Sequence, residues 1–71
     1  MNMERIKDLR EDNDMNQTEL ALILNISQRA YSHYERGDRE IPLKTLVSIA
    51  DYYNVSVDYL LGRTNKKELN R

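Results

Sequence analysis

Apolar residues recur along this chain at the spacing of helices and not at the spacing of strands. No stretch alternates apolar and polar side chains for more than a few positions, whereas apolar positions three and four residues apart are frequent. Glycine occurs only at positions 37 and 62, and the single proline is at position 42. The pattern predicts an all-α domain of about five short helices over residues 1–62, followed by a flexible polar tail over residues 63–71.

Capping residues mark the first two predicted helices. The first is expected over about residues 2–11, with Asn2 as its N-cap and an apolar face made of Met3, Ile6 and Leu9. Asn16 is the expected N-cap of the second helix, because Glu19, three residues on, can reach back to the amide of the cap. The buried side of this second helix is expected to hold Leu20, Ala21, Ile23 and Leu24.

Three further helices follow from the same kinds of signal. Asn25 ends the second helix, since asparagine tolerates the left-handed backbone of a sharp turn, and Ser27 caps a third helix. A fourth helix begins at Pro42, and its apolar stripe is formed by Leu43, Leu46, Val47, Ala50 and Tyr53. Ser56 caps a last short helix over residues 57–61.

The residues that join the second and third helices have the spacing of a tight corner. Ala21 is small enough to let the two helices approach closely, Asn25 permits the turn, and Ile26 fills the corner from the turn. Tyr31 and Tyr34 are one helical turn apart, so they place the back of the third helix on the core.

Helical geometry then turns four polar side chains away from the core, namely Gln28, Arg29, Ser32 and His33. Glutamine pairs bidentately with adenine and arginine with guanine, while serine or histidine can donate or accept at base edges. A helix that presents such side chains can enter the major groove of DNA. The pattern therefore predicts a helix that reads DNA sequence.

Composition limits the other possibilities. Eleven Lys and Arg oppose twelve Asp and Glu, which gives a net charge of −1, so any basic surface for phosphates has to be local. An acidic soluble domain with no nucleic-acid role stays open on composition alone. The chain has no cysteine, and His33, its one histidine, has no second histidine to complete a metal site. We expect no metal, no cofactor, no small-molecule effector and no membrane span, and the absence of an apolar targeting segment favours a cytoplasmic protein.

Three stretches of the chain carry a resemblance to a known family. They read NQTELA, ISQRAYSHYERG and IPLKTLVSIADYYNVSVDYLLG, and the resemblance as a whole covers about Ile6 to Gly62. In these stretches the chain resembles the phage-repressor and Cro family of helix-turn-helix regulators, also called the Xre type. The resemblance implies a compact five-helix lambda-repressor-like domain whose helix-turn-helix, formed by helices two and three, covers about residues 16–37. It also implies a transcriptional regulator, a repressor, that binds double-stranded operator DNA.

The same resemblance implies roles for particular residues. Six residues match positions of the family that contact the phosphates of the DNA backbone or cap its two DNA-facing helices. They are expected to contact phosphates here and are Asn16, Gln17, Ser27, Arg36, Arg39 and Lys44. Arg10 and Glu35 match a buried ion pair between the first and third helices. Binding to an inverted repeat implies a homodimer, at least on DNA. The self-contact is expected at the last helix and its neighbours, through Tyr52, Val57, Asp58, Tyr59 and Leu61.

Two other classes of function remain as alternatives. The acidic balance and the loop Asp38–Arg39–Glu40, which is less basic than in many relatives, favour a protein-interaction module or an antitoxin-like domain with little DNA affinity. An enzyme is the third class, but the sequence has no convergent set of catalytic polar residues. We therefore expect a DNA reader that is not an enzyme.

Overall fold

A computed structural model describes residues 3–67 of the chain. The expected N-cap Asn2 and the last four residues of the expected tail lie outside the described residues. Residues 3–67 form no strand and five helices, which are α1 (Glu4–Asp12), α2 (Gln17–Leu24), α3 (Gln28–Arg36), α4 (Leu43–Tyr53) and α5 (Val57–Leu60). This confirms the expected all-α fold. Across the same residues, none of the helices is both long enough and apolar enough to cross a bilayer.

Side-chain caps begin α2, α3 and α5 where the sequence predicts them. The Asn16 side chain accepts a hydrogen bond from the amide of Glu19 at 2.8 Å, and the Glu19 carboxylate accepts one from the amide of Asn16 at 3.1 Å. Ser27 and Ser56 each accept a hydrogen bond at 3.0 Å from the amide three residues on. Each cap satisfies an amide that the first helical turn leaves without a partner.

Left-handed residues end three of the helices. Asn25 has a φ of 59° after α2, Gly37 has a φ of 79° after α3, and Asn54 has a φ of 56° after α4. Asparagine and glycine are the residues that adopt this conformation at least cost. The turn at Asn25 is therefore the one expected from the sequence.

One hydrophobic core joins all five helices. Its least exposed large side chains are Ile6 of α1, Leu20 of α2, Tyr31 of α3, Ile49 of α4 and Leu60 of α5. Around them lie the other buried residues, which are Met3, Leu9, Ala21, Ile41, Leu46, Ala50 and Val55. Because Tyr31 is at the centre of this core, the back of α3 cannot rotate without disturbing the packing of its neighbours.

The structure corrects several expected element boundaries. The first helix begins at Glu4 after Met3, which makes no side-chain cap, and it ends at Asp12 instead of Glu11. Pro42 precedes the fourth helix as its N-cap, and the last helix stops at Leu60. Differences of this size are ordinary, because helix ends fray and the terminal turn is only partly hydrogen-bonded.

The structure also corrects the expected apolar faces of α2 and α4. Ile23 is 47% exposed, Leu43 is 71% exposed and Val47 is 40% exposed, although all three were expected to be buried. In α4 the buried face instead contains Ile49. Apolar residues occupy more than one face of each helix, so the helical period alone does not say which face meets the core.

Residues 63–67, the described part of the predicted tail, make hydrogen bonds to the rest of the domain. Arg5 of α1 donates a hydrogen bond to Oδ1 of Asn65 at 2.9 Å. The amide of Ser56 donates to the carbonyl of Lys67 at 2.8 Å. The contact between Arg5 and Asn65 joins residues 60 positions apart, and the composition of the segment carries no signal for it.

Candidate functional site

The corner between α2 and α3 is built as the sequence predicts. Ala21 is buried where the two helices pack together, and its carbonyl accepts a hydrogen bond from the amide of Ile26 at 3.0 Å. That bond closes the turn around Asn25, whose left-handed backbone reverses the chain. The orientation of α3 relative to α2 is therefore set by backbone geometry and a small side chain.

The burial of Tyr31 decides which face of α3 is turned outward. Tyr31 is fully buried and Tyr34 packs against the core from one turn further on. On the opposite side of the helix, Gln28 and Arg29 are exposed and two more predicted site residues, Ser32 and His33, are partly exposed. The structure thus brings the four predicted base-reading side chains onto one side of α3.

Behind α3 lies a buried ion pair that joins α1 to α3. Arg10 donates to both oxygens of Glu35, from Nη2 to Oε1 at 2.9 Å and from Nε to Oε2 at 3.0 Å. The two side chains are 13% and 5% exposed. Arg10 also donates to the carbonyl of Met15 at 2.8 Å, so this guanidinium is held by three hydrogen bonds. The pair has the partners that the family resemblance implies.

The charges around this pair are shifted by burial and by each other. Burial is the largest single influence on Glu35 and would raise its pKa, but the hydrogen bonds and positive charge of its neighbours, with Arg10 foremost, together hold the pKa of this carboxyl below its ordinary value. Burial raises the pKa of Tyr31, and the nearby Glu35 carboxylate adds to the rise. The Tyr31 hydroxyl is close enough to Glu35 to influence the pKa of both groups, but it is buried at a geometry that does not satisfy a hydrogen bond.

A chain of amide hydrogen bonds leads from this pair to the start of α3. Gln17 donates from Nε2 to Oε1 of Glu35 at 3.4 Å, and Gln28 donates from Nε2 to Oε1 of Gln17 at 2.8 Å. Because an ionised carboxylate only accepts, Gln17 has to turn its NH₂ group towards Glu35 and its oxygen towards Gln28. Gln28 must then spend one N–H on Gln17, which leaves its carbonyl oxygen and its second N–H for a ligand.

A second ionic cluster lies on the outer side of α3, at its C-terminal end. Arg36 donates from Nε to Oδ2 of Asp38 at 2.9 Å, and these side chains are 58% and 52% exposed. Nδ1 of His33 lies 3.1 Å from Nη2 of Arg36 and 3.4 Å from Oδ2 of Asp38. The contact of Asp38 with His33 and Arg36 was not predicted from the sequence. The position of Asp38 directly after Gly37, within one turn of Arg36, is the signal that could have suggested it.

The residues predicted to contact phosphates fall into two groups. Asn16, Gln17, Ser27 and Arg36 already make hydrogen bonds within the domain, as caps, in the amide chain or with Asp38. Arg39, in the loop after α3, and Lys44, in the first turn of α4, are exposed. Between residues 3 and 67 no group of three His, Asp or Glu side chains is placed to hold a metal ion.

The residues predicted to mediate self-contact are partly covered. Tyr52 is 47% exposed and Asp58 is exposed, while Val57 and Leu61 are partly buried. Tyr59 is also partly buried, because its ring lies 4.4 Å from the guanidinium of Arg5 and 5.8 Å from the ammonium of Lys67. Tyr59 therefore already has intramolecular partners on this side of the domain.

Comparison with known sequences gives a consistent result. Residues 6–60 match a family model described as "Helix-turn-helix". The chain is 42% identical over 65 residues to YqaE, an uncharacterized HTH-type transcriptional regulator of Bacillus subtilis, a match that covers 90% of this chain and 56% of that protein. It is 39% identical over 66 residues to the HTH-type transcriptional regulator ImmR of the same species, a match that covers 93% of this chain and 52% of that protein. The chain thus spans about half the length of these relatives.

A phage protein and a solved structure extend the comparison. The Vibrio cholerae cryptic phage CTXphi transcriptional repressor RstR is 33% identical over 58 residues, which cover 82% of this chain and 52% of that repressor. The NMR structure of the DNA-binding domain of the P22 C2 repressor, residues 1–76, superimposes with a TM-score of 0.76 at 28% identity. That superposition covers 99% of this chain and 96% of the other.

Proposed function

This chain belongs to the helix-turn-helix family, and we propose that the protein binds double-stranded DNA at specific sequences as a transcriptional regulator, in the role of a repressor. The observation that carries the proposal is the buried position of Tyr31, which turns the polar side of α3 outward beside a tight α2–α3 corner. The P22 C2 repressor domain, named as DNA-binding, has the same fold over nearly the whole chain.

In this proposal α3 enters the major groove and α2 lies across the sugar-phosphate backbone. Gln28 has one carbonyl oxygen and one N–H free, which is the pair of groups that reads the N6 and N7 atoms of adenine. Arg29, exposed one residue further on, suits the O6 and N7 acceptors of guanine. Ser32 and His33 complete the base-reading set.

Contacts to phosphates come from Asn16, Gln17, Ser27, Arg36, Arg39 and Lys44. The amides at the start of α2 and α3 favour an anion, and the three cationic side chains supply local positive charge in a chain of net charge −1. Arg36 bonds Asp38 through Nε, so its Nη1 group is left to bind a phosphate while the pair stays in place. We expect the Asp38 carboxylate to limit non-specific affinity, because it repels phosphates.

We further propose that the protein binds as a homodimer to an inverted repeat whose half-sites are about 34 Å apart. One half-site offers only a small contact area, so a second copy is needed for tight specific binding. Tyr52 and the α5 residues Val57, Asp58, Tyr59 and Leu61 form the proposed self-contact. Sedimentation of the protein with its operator tests this, and a complex with only one protein copy would contradict it. A cytoplasmic location, where prokaryotic operators lie, goes with this proposal.

The DNA-binding proposal is tested by selecting bound sequences from a random DNA pool. The wild-type protein, Gln28→Ala and Arg29→Ala are compared, with Lys66→Ala as a control that removes an exposed charge outside α3. We expect one enriched motif, changed at different positions by the first two variants and unchanged by the control. If no motif is enriched, the protein does not read DNA. If both α3 variants keep the wild-type motif, the assigned residues are wrong.

Gln17→Ala separates two roles for this residue in the same selection. A residue that only holds a phosphate weakens all sequences about equally when it is removed. Gln17 also orients the amide of Gln28, so we expect Gln17→Ala to relax the preference at the base pair that Gln28 reads. A uniform loss of affinity with an unchanged motif would contradict the orienting role.

The alternative of a protein-interaction module is favoured by one observation. Asp38 pairs with Arg36 on the outer side of α3, where a carboxylate opposes DNA phosphates. If the random-pool selection enriches no motif while the folded protein elutes with a protein partner, this alternative replaces the DNA-reading proposal.

A further inference from the structure

His33 lies against a pair of charged groups whose hydrogen-bonding capacities conflict. Its Nδ1 atom is 3.1 Å from Nη2 of Arg36 and 3.4 Å from Oδ2 of Asp38. A guanidinium can only donate a hydrogen bond, whereas an ionised carboxylate can only accept one. Nδ1 of a neutral imidazole therefore satisfies one of these neighbours and not both.

We propose that the Arg36–Asp38 pair fixes His33 as the Nε2–H tautomer and thereby determines which base edges His33 can read. The proposal rests on the proposed function for its consequence on DNA, but its tautomer claim concerns the free protein. Arg36 and Asp38 act here as positioning residues, because they work through the imidazole of His33.

The distances favour Arg36 as the partner of Nδ1. Its Nη2 is 0.3 Å closer to the ring nitrogen than the carboxylate oxygen is (3.1 against 3.4 Å). The same Oδ2 already accepts a hydrogen bond from Nε of Arg36 at 2.9 Å. Asp38 thus holds the guanidinium in place, and the guanidinium donates to Nδ1, which must keep its lone pair.

The tautomer determines whether Nε2, the other ring nitrogen of His33, donates or accepts a hydrogen bond. With Nδ1 accepting, the proton resides on Nε2, so the partly exposed His33 offers a donor to a ligand. In the major groove a donor meets N7 and O6 of guanine, N7 of adenine or O4 of thymine. It cannot pair with the amino groups of cytosine or adenine, which need an acceptor. His33 therefore selects bases by the acceptors they present.

Nitrogen-15 NMR of the imidazole tests the tautomer directly. His33 is the only histidine in the chain, so its ring signals need no assignment among several residues. In alkaline buffer, where imidazole is neutral, we expect the wild-type ring to be protonated at Nε2. A ring protonated mainly at Nδ1 would overturn the proposal.

Two variants and a control make the test specific to the pair. Arg36→Ala removes the guanidinium that donates to Nδ1 and leaves the Asp38 carboxylate, which accepts. We therefore expect the tautomer population of His33 to move towards Nδ1–H. Asp38→Asn keeps an oxygen that can accept from Nε of Arg36 but removes the charged carboxylate that favours Nδ1–H, so we expect Nε2–H to remain dominant. Lys66→Ala removes an exposed cationic side chain outside this cluster and should leave the tautomer ratio unchanged. If wild type and Arg36→Ala show the same tautomer ratio, Arg36 does not set the tautomer and the proposal fails.

The DNA arm uses the random-pool selection with His33→Ala and Arg36→Ala. We expect His33→Ala to lose preference at one base pair by about two- to tenfold, the range of one hydrogen bond. At that base pair the wild-type protein should prefer a base with an acceptor, and Arg36→Ala should shift the preference towards an amino group. An unchanged preference in Arg36→Ala would overturn the specificity claim. If the tautomer result holds but the wild type enriches no motif, the DNA-reading function fails and the tautomer assignment stands.

Discussion

Two arginine–carboxylate pairs involve residues of α3, and they meet at the same shortest distance in opposite surroundings. Arg10 and Glu35 meet at 2.9 Å with side chains 13% and 5% exposed, while Arg36 and Asp38 meet at 2.9 Å with side chains 58% and 52% exposed. Solvent screens the second pair, so its contribution to the free energy of unfolding is about 0–1 kcal/mol. Removing one partner of the first pair leaves a charge uncompensated in a site with little exposure to solvent.

The difference shows that distance does not tell what an ion pair does. The buried pair holds α1 against α3 and, through Gln17, fixes the amide of Gln28 from behind. The exposed pair contributes little to folding, but it borders His33 on the side that we propose faces DNA. One pair therefore supports the domain and the other influences recognition, and the two roles can be separated by substitution.

The largest expected change in the free energy of unfolding comes from breaking the Arg10–Glu35 pair. Glu35→Ala should lower the free energy of unfolding by about 3–5 kcal/mol, because Arg10 loses its partner in a buried site. Urea denaturation followed by circular dichroism measures this. Asp38→Ala is the matched control, since it removes an exposed carboxylate of the other pair and should cost less than about 1 kcal/mol. Equal losses in the two variants would contradict the comparison.

A double substitution sharpens the same point. Arg10→Met combined with Glu35→Leu removes both charges and should recover most of the stability lost in Glu35→Ala, because no buried charge is left unpaired. Gln17 then loses its carboxylate acceptor, so the base preference assigned to Gln28 should still relax. A double variant as unstable as Glu35→Ala would mean that packing, and not charge, is what the pair supplies.

The pH dependence of stability should carry the signature of Glu35. The pKa of Glu35 is lowered in the folded protein from its ordinary value of 4.5, so the folded state binds this proton less readily than the unfolded state does. Its stabilising contribution is complete above that ordinary value and is lost as the pH falls through the lower folded-state pKa. Urea midpoints measured from neutral pH downwards should fall more steeply for the wild type than for Glu35→Gln. Parallel curves would contradict the lowered pKa.

A smaller change in the free energy of unfolding is expected from replacing Tyr31. Its hydroxyl is buried without a hydrogen-bond partner, so Tyr31→Phe removes an unpaired polar group and keeps the ring. We expect the free energy of unfolding to rise by about 1 kcal/mol, at the low end of the cost of an unsatisfied buried group. Thermal denaturation would detect the change. A loss of stability would show that the hydroxyl is bonded to Glu35 in solution.

The smallest effect on stability is expected for the exposed pair. Asp38→Asn should change the free energy of unfolding by less than about 0.5 kcal/mol. Its affinity for non-specific DNA should rise, because no carboxylate remains beside Arg36 to repel phosphates. Titration of fluorescent non-specific duplex at two salt concentrations measures this, with Asp51→Asn, an exposed carboxylate of α4, as the control. An equal rise in both variants would indicate a general effect of net charge.

The features that the sequence predicted well are those decided by local chemistry. Asn25 adopts the left-handed turn and Ser27 caps α3 because these conformations depend on the residue and its nearest neighbours. The buried and exposed faces of α4 were harder to predict from the sequence. Val47 and Ile49 are both apolar, and only the packing of neighbouring helices determines that Ile49 is buried and Val47 is exposed. The pairing of Arg10 with Glu35 spans 25 residues and came from family resemblance alone.

The contacts of His33 and Arg5 were not predictable in the same way. Asp38 was considered only as part of the loop after the third helix, although the left-handed turn at Gly37 returns its carboxylate to the end of α3. Arg5 was given no role, and its contacts with Tyr59 and Asn65 join residues 54 and 60 positions apart. Contacts over such separations depend on the assembled fold, so a single sequence carries little signal for them.

The contact between Arg5 and the C-terminal segment brings the two ends of the described chain close together. A side chain in the first turn of α1 reaches Asn65, so the described chain leaves the domain close to where it enters. A short linker could join these two points, and the chain could be reopened at the exposed loop Asp38–Glu40 without cutting a helix. Whatever is fused before α1 or after residue 67 would then start from one place on the domain, beside α1 and α5.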